Sequence, residues 1–139
     1  AYAEGLAHGL SAEHGFSPDD LALDFDEQLA QTGLELIGIE SGFSCVACHA
    51  IGDERALVGA EMETINFAFV PKRLRRSYYD RFLLDPPRLL PGTKMPQFVN
   101  SDMTTALKGV FDGDALRQTD AIWNFIVQLS ETTTIAKSE

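Results

Sequence analysis

The residues with the clearest chemistry are two cysteines and a histidine that share one pentapeptide, Cys45-Val46-Ala47-Cys48-His49. The spacing C-x-x-C-H is typical of a site where haem c is attached covalently. One turn of helix presents both thiols on the same side, where each can add to one vinyl group of the porphyrin. The adjacent imidazole can then reach the iron. The motif therefore predicts a haem c site with Cys45, Cys48 and His49 as its covalent and metal-binding residues.

Two other chemistries use a Cys-x-x-Cys pair, and the surrounding sequence favours neither. A thioredoxin-like redox pair belongs to a strand–CxxC–helix context, and no strand is predicted here. A structural zinc site needs four ligands, but the chain has two cysteines and three histidines. The other histidines, His8 and His14, are remote in sequence and are interpreted as solvated surface residues.

The elements that must position this motif are predicted to be helices joined by long loops, which makes the fold class all-α. Apolar spacing predicts a first helix over 27–40, capped by Asp24 or Asp26. Gly33 in its middle indicates that another helix crosses closely over the missing side chain. Further helices are predicted over 71–85, 102–111 and 115–130, with a proline-rich loop after Asp85.

From about Glu27 to Leu129 the chain resembles a class I c-type cytochrome, and in particular the cytochrome domains of large secreted bacterial proteins, including those of planctomycetes. The matching pieces are the helix with a central glycine, CVACH, a helix ending in DPP, the segment PGTKMP at 91–96 and an aromatic last helix. The resemblance implies a cytochrome c fold, in which helices and long loops wrap around the covalently attached haem. It also implies that Gly33 and Trp123 mark where the first and last helices cross.

The resemblance further implies that His49 is the proximal iron ligand and that the sulfur of Met95 is the distal one. A thioether favours ferrous iron and fills the sixth coordination site. Gly92 would let the backbone approach the haem closely, and Thr93 is expected to hydrogen-bond near a propionate. Met62 and Met103 lack the setting of Met95 and are interpreted as packing residues.

Two positions depart from the family pattern. The family commonly has a proline after the CH motif whose carbonyl accepts from the proximal histidine, but no proline occurs here before Pro71. Ala60 is the candidate that would supply the carbonyl instead, and the partner of His49 is left open. Phe98 lies three residues after Met95 rather than two, so its place over the haem edge is also open.

The chain has 139 residues and a net charge of -10, with 11 basic and 21 acidic residues, which disfavours binding to nucleic acid. Seven basic residues nevertheless fall between Lys72 and Lys94. They predict either a solvated face or a docking surface for an acidic redox partner protein. Asp112-Gly113-Asp114 predicts a turn and helix cap rather than a calcium loop, because Trp123 stands where a loop glutamate would be needed.

The predicted organisation is an N-terminal extension at 1–25, a cytochrome c domain at 26–130 and a polar C-terminal tail at 131–139. No transmembrane segment or signal peptide is predicted. The expected function is one-electron transfer by haem c with His/Met ligation, in a periplasmic or secreted protein that is not itself an enzyme. The alternatives are an electron-relay module of a larger secreted oxidoreductase and, as a third reading, a haem-based sensor.

Overall fold

The computed structural model describes residues 26–58 and 64–136, together with positions 2, 5, 6 and 9. Most of the predicted N-terminal extension, with His8, His14 and Asp24, lies outside the described residues, and so do Ala60, Met62 and positions 137–139. The described chain is mostly helical, in agreement with the predicted all-α class. Its extended pairing is limited to isolated bridges such as His49–Thr64 and Val99–Thr105.

Five α-helices follow one another within the ranges 26–58 and 64–136. They are α1 (Glu27–Ile37), α2 (Val70–Arg73), α3 (Arg76–Leu84), α4 (Pro86–Leu89) and α5 (Ala115–Ala136). Three single turns of 3-10 helix lie between them, at Cys45–Ala47, Phe67–Phe69 and Phe111–Gly113. The core forms where α1 packs on α5, and the shorter elements are arranged around this pair.

The first helix begins as its sequence predicts. Asp26 is the N-cap, and its carboxylate accepts from the backbone N–H of Leu29 at 3.0 Å. The buried face of α1 consists of Ala30, Gly33, Leu36 and Ile37. At Gly33 a Cβ would overlap the carbonyl oxygen of Ala121 and lie 2.8 Å from the Cβ of Phe125. The close helix crossing predicted from Gly33 is therefore confirmed.

Four of the predicted helix boundaries are wrong. The first helix ends at Ile37 rather than at residue 40, because Gly38 is extended (φ -67°, ψ 168°). The helix predicted over 71–85 is two helices, because Leu74 is extended (φ -116°, ψ 140°) and packs on the core. Pro86 begins α4 rather than a loop, as its fixed φ allows in a first turn. The last helix continues six residues beyond Ser130, and the Thr132 and Thr133 hydroxyls donate to carbonyls of the preceding turn.

The helix predicted over 102–111 is absent from this described segment. The carboxylate of Asp102 accepts from both the backbone N–H and the hydroxyl of Thr104, at 3.1 and 2.7 Å. Such local side-chain bonds compete with helix formation. The chain then forms a 3-10 turn at Phe111–Gly113, and the Asp114 carboxylate caps α5 by accepting from Arg117 N–H at 3.0 Å. The turn-and-cap interpretation of Asp112-Gly113-Asp114 is thereby confirmed.

A polar and aromatic contact ties α3 to α5. Arg76 forms ion pairs with Asp80 (2.7 Å) and Asp120 (2.8 Å), and its guanidinium lies 5.3 Å from the ring centre of Trp123. The buried Tyr79 hydroxyl donates to the Thr119 carbonyl at 2.9 Å. These contacts fix the rotation of α3, which carries Leu83 towards the candidate site described below.

Gly33→Ala tests the helix crossing. The new methyl group would meet a backbone carbonyl that no rotamer change can move, so we expect the free energy of unfolding to fall by about 2 kcal/mol. Chemical denaturation of the purified protein measures this change. Gly109→Ala is the matched control, since nothing lies within 4 Å of a Cβ at that position. Equal stability of the two variants would show that α1 and α5 do not cross as closely as described.

Candidate functional site

Hydrogen bonds connect the segment just before the CVACH motif to the end of α1. The backbone N–H groups of Phe43 and Ser44 donate to the carbonyls of Leu36 (2.7 Å) and Gly38 (3.0 Å), so the chain turns back immediately after the helix. Ser44 adopts a left-handed conformation (φ 59°) and begins the 3-10 turn Cys45–Ala47. The turn therefore starts at a position that the end of α1 determines.

Both cysteines belong to this one turn. The N–H groups of Cys48 and His49 donate to the carbonyl of Cys45, at 3.1 and 2.9 Å. Neither cysteine forms a disulfide, and both are half-buried. Burial raises the pKa of the Cys45 thiol to about 12, which keeps this sulfur protonated at neutral pH. The two thiols and the imidazole that the sequence singles out thus lie within five residues, on a turn that the Cys45 carbonyl closes.

A second segment, residues 64–68, pairs with the backbone that follows the second cysteine of the motif. The N–H of Thr64 donates to the Cys48 carbonyl at 2.9 Å, and the N–H of Phe67 donates to the Ala50 carbonyl at 3.0 Å. Asn66 fastens this segment to the preceding loop: its amide exchanges two hydrogen bonds with the backbone of Gly52, at 3.1 and 2.6 Å. The same side chain accepts from Ala68 N–H at 2.9 Å.

The segment gives His49 a defined orientation. Its Nδ1 lies 2.8 Å from the carbonyl oxygen of Ile65, and its ring stacks on Phe67 with 4.5 Å between ring centres. A carbonyl oxygen can only accept, so Nδ1 carries the proton and Nε2 keeps its lone pair. Burial lowers the pKa of His49, and the bond to Ile65 opposes that shift. The Nε2 atom of the neutral imidazole therefore keeps a lone pair of the kind that can bind a metal.

The carbonyl that the sequence left open is thus supplied by Ile65. A backbone carbonyl leaves no mark in the sequence, because every residue has one. The two polar signals that could have found it are Asn66, which anchors the segment, and Thr64, whose hydroxyl also touches His49 Nδ1 at 2.8 Å. Sequence reasoning singled out neither residue.

The loop that carries Met95 has a conformation which its residue types explain. Gly92 has φ +85°, a conformation that side chains rarely adopt, and open space surrounds the place of its missing Cβ. The N–H of Thr93 donates to the Leu90 carbonyl at 3.0 Å. The Thr93 hydroxyl oxygen accepts from Met95 N–H at 3.2 Å, and Met95 is half-buried. Thr93 therefore orders the backbone at Met95, while its hydroxyl proton can still be donated elsewhere.

Aromatic packing joins this loop to the CVACH turn. The rings of Phe98 and Phe43 lie 4.9 Å apart, so a residue three positions after Met95 packs on a residue two positions before Cys45. Cys45, Leu83, Val99 and Ile122 line the same apolar cleft. Phe98 is therefore placed against the turn that bears the cysteines.

The donor set and its surroundings are compatible with a haem. Two thiols outside any disulfide and an imidazole with a lone pair on Nε2 stand beside half-exposed apolar side chains, among them Phe43, Val46 and Leu83. The cleft has a volume of about 20 Å3, enough for about one water molecule and far too small for a porphyrin. A porphyrin would consequently have to lie on the exposed side of these residues. In the described ranges, no three His, Cys, Asp or Glu side chains come together, as a zinc site would require.

The structure separates the basic residues between 72 and 94 into two groups. Arg76 is half-buried and its charge is matched by Asp80 and Asp120. The other six are exposed, namely Lys72, Arg73, Arg75, Arg81, Arg88 and Lys94. Arg76 therefore belongs to the contact between α3 and α5 rather than to a docking surface.

Comparisons with protein-family models, with curated proteins and with solved structures found no match to this chain. Among the residues that the structure describes, no helix is both long and apolar enough to span a membrane.

Asn66→Ala tests the anchor of the segment that supplies the Ile65 carbonyl. Three hydrogen bonds are lost, each contributing about 1 kcal/mol, so we expect the free energy of unfolding to fall by about 2–3 kcal/mol. Denaturant titration gives the value. Asn100→Ala is the control, because the exposed Asn100 amide makes a single 3.3 Å side-chain bond to Thr104. A loss no greater than that of the control would contradict the anchoring role.

Proposed function

We propose that this chain binds one haem c through thioether bonds from Cys45 and Cys48 and carries single electrons. The observation that supports this most directly is the bond from His49 Nδ1 to the Ile65 carbonyl, at 2.8 Å. It leaves Nε2 as the donor atom on the same turn that presents both thiols. The sequence motif and the tautomer both support His49 as the proximal ligand.

When bound, the haem iron supplies the one-electron chemistry by alternating between its ferrous and ferric states. The residues of the chain would hold the haem and orient it. The stacked ring of Phe67 and the Ile65 carbonyl prevent the His49 imidazole from rotating. Once each cysteine sulfur has added to a vinyl group, the two thioether bonds would keep the haem attached in either oxidation state.

Met95 is proposed as the second axial ligand. A methionine side chain is flexible and cannot position itself. Here the φ of Gly92, the bond from Met95 N–H to Thr93 and the prolines at 91 and 96 restrict the backbone on both sides of it. The Phe43–Phe98 contact keeps the loop next to the cysteine-bearing turn. Occupation of the sixth site by sulfur favours electron transfer over the binding of oxygen or a substrate.

The finer assignment of the fold follows from the same proposal. The all-α chain would adopt the cytochrome c fold, and the helix crossing at Gly33, with CVACH starting just after α1, supports this assignment. Covalent haem attachment also implies a periplasmic or secreted location, and a sixth coordination site filled by Met95 implies an electron-transfer protein rather than an enzyme.

We further propose that an acidic redox protein docks on the exposed basic residues between Lys72 and Lys94. Arg88 and Lys94 are the most informative, because both are exposed and they lie on either side of Gly92 in the segment that leads to Met95. Opposite charges on two such surfaces raise the rate of encounter, and a small transient interface is sufficient for electron exchange.

Met95→Ala tests the proposed ligation, with Met103→Ala as the matched control. In a host that attaches haem c, we expect all three proteins to carry one haem that denaturation does not release. Wild type and Met103→Ala should ignore carbon monoxide in the ferrous state. Met95→Ala should bind it promptly and show a lower reduction potential, because its sixth site is open.

The measurements are an alkaline pyridine spectrum, an intact mass, a carbon monoxide difference spectrum and a redox titration. A colourless wild type at the mass of the bare polypeptide would overturn the whole proposal. An unchanged spectrum and potential in Met95→Ala would remove Met95 as the ligand while leaving the covalent haem in place. Met103 is a fair control because it is exposed and belongs to the 100–103 turn.

The double variant Arg88→Glu, Lys94→Glu tests the docking surface with small redox reagents. We expect its rate of reaction with the anion ferricyanide to fall about tenfold at low ionic strength, and its rate with a cationic cobalt complex to rise. Both effects should vanish at high salt. The double variant Lys108→Glu, Arg117→Glu controls for the change in net charge, because it also turns two exposed basic residues acidic but lies outside the basic stretch. Stopped-flow rates that match this control would reject the surface.

A further inference from the structure

One hydroxyl next to His49 has no part in the ligation described so far. The Oγ1 of Thr64 lies 2.8 Å from His49 Nδ1, and it also donates to the Cys48 carbonyl at 3.0 Å. A threonine hydroxyl has one hydrogen to donate and two lone pairs that accept. Since its hydrogen is directed at Cys48, its oxygen faces Nδ1 as an acceptor.

The proton on Nδ1 is therefore shared between two oxygens. The Ile65 carbonyl fixes its location on Nδ1, and the Thr64 hydroxyl lies at the same distance of 2.8 Å. The backbone holds Thr64 in this place independently of the side chain, because Thr64 N–H donates to the Cys48 carbonyl at 2.9 Å. The hydroxyl thus touches both the proximal imidazole and the backbone of the second cysteine.

We propose that Thr64 is a positioning residue that acts through His49 to lower the reduction potential of the haem. This inference rests on the proposed function. A second acceptor at Nδ1–H draws the proton away from the ring and makes Nε2 a stronger electron donor. A stronger donor stabilises ferric more than ferrous iron. The proton stays on Nδ1 in both oxidation states, so the electron is the only particle that is exchanged.

The choice of substitution depends on whether a water molecule can replace the Thr64 hydroxyl. Thr64 is exposed, so in Thr64→Ala a water molecule can take the place of the hydroxyl and accept from Nδ1–H. In Thr64→Val a methyl group occupies that place and excludes water. Thr64→Ser keeps the acceptor. The three variants therefore separate the loss of an acceptor from the loss of side-chain volume.

The experiment is a redox titration of the purified holoproteins at one pH and ionic strength. We expect an upward shift of the midpoint potential in Thr64→Val, a smaller shift in Thr64→Ala and a value close to wild type in Thr64→Ser. Thr32→Val is the matched control, because the Thr32 hydroxyl also donates to a backbone carbonyl, that of Gln28, but lies on α1. A potential in Thr64→Val equal to those of wild type and Thr32→Val would overturn the inference.

A measurement on the wild type keeps the test decisive if Thr64→Val fails to mature. In the reduced protein with 15N-labelled histidine, the Nδ1–H proton of His49 should show a nuclear Overhauser contact with the side chain of Thr64. The absence of that contact would overturn the inference without any variant. A wild-type chain that binds no haem would overturn the proposed function as well, whereas an intact holoprotein with an insensitive potential rejects the role of Thr64 alone.

Discussion

The close crossing of α1 and α5 at Gly33 is the constraint from which the rest of the structure follows. A single missing side chain lets the backbone of α1 lie against the carbonyl of Ala121. With α1 fixed at that depth, the bonds from Phe43 to Leu36 and from Ser44 to Gly38 determine where the chain turns back. The CVACH turn starts at that point, so the position of the thiols is set by a helix contact that contains none of them.

Sequence reasoning succeeded where the signal is local or steric. The cap at Asp26, the crossing at Gly33, the interruption before Pro86 and the Asp112–Asp114 turn each depend on a residue type with few conformational choices. It failed where a competing contact decided the outcome. Asp102 binds the Thr104 backbone instead of starting a helix, and Leu74 leaves the helix to pack on the core. Neither competing contact can be recognised from periodicity alone.

The candidate site likewise has residues that the sequence predicts and contacts that only the structure reveals. The identities of Cys45, Cys48 and His49 are written in the motif, but the group that orients the imidazole is a backbone carbonyl sixteen residues away. Its place depends on the pairing of 64–67 with 48–50 and on the amide of Asn66, both long-range contacts. Counting the basic residues in the sequence fails for a related reason, because it does not show which charges are paired. Arg76 counts as one of seven basic residues in the sequence, yet Asp80 and Asp120 match its charge, so its role is to join two helices.

The two proposed axial ligands are held by different means, and this difference bears on function. His49 belongs to one of two paired backbone segments, and its ring stacks on Phe67 while its Nδ1 is bonded to Ile65 of the other segment. Met95 lies in a loop without such pairing, where Gly92, two prolines and the Thr93 hydroxyl restrict the backbone locally. A carrier needs both ligands to stay in place when the charge on iron changes, because rearrangement would slow the exchange. The proximal side achieves this through hydrogen bonds, whereas the distal side depends on restricted torsions and on the aromatic contact of Phe98. If one of the two proposed ligands leaves the iron, we expect it to be Met95, because only local constraints hold its loop. The proposed thioether bonds would then keep the haem attached to the chain.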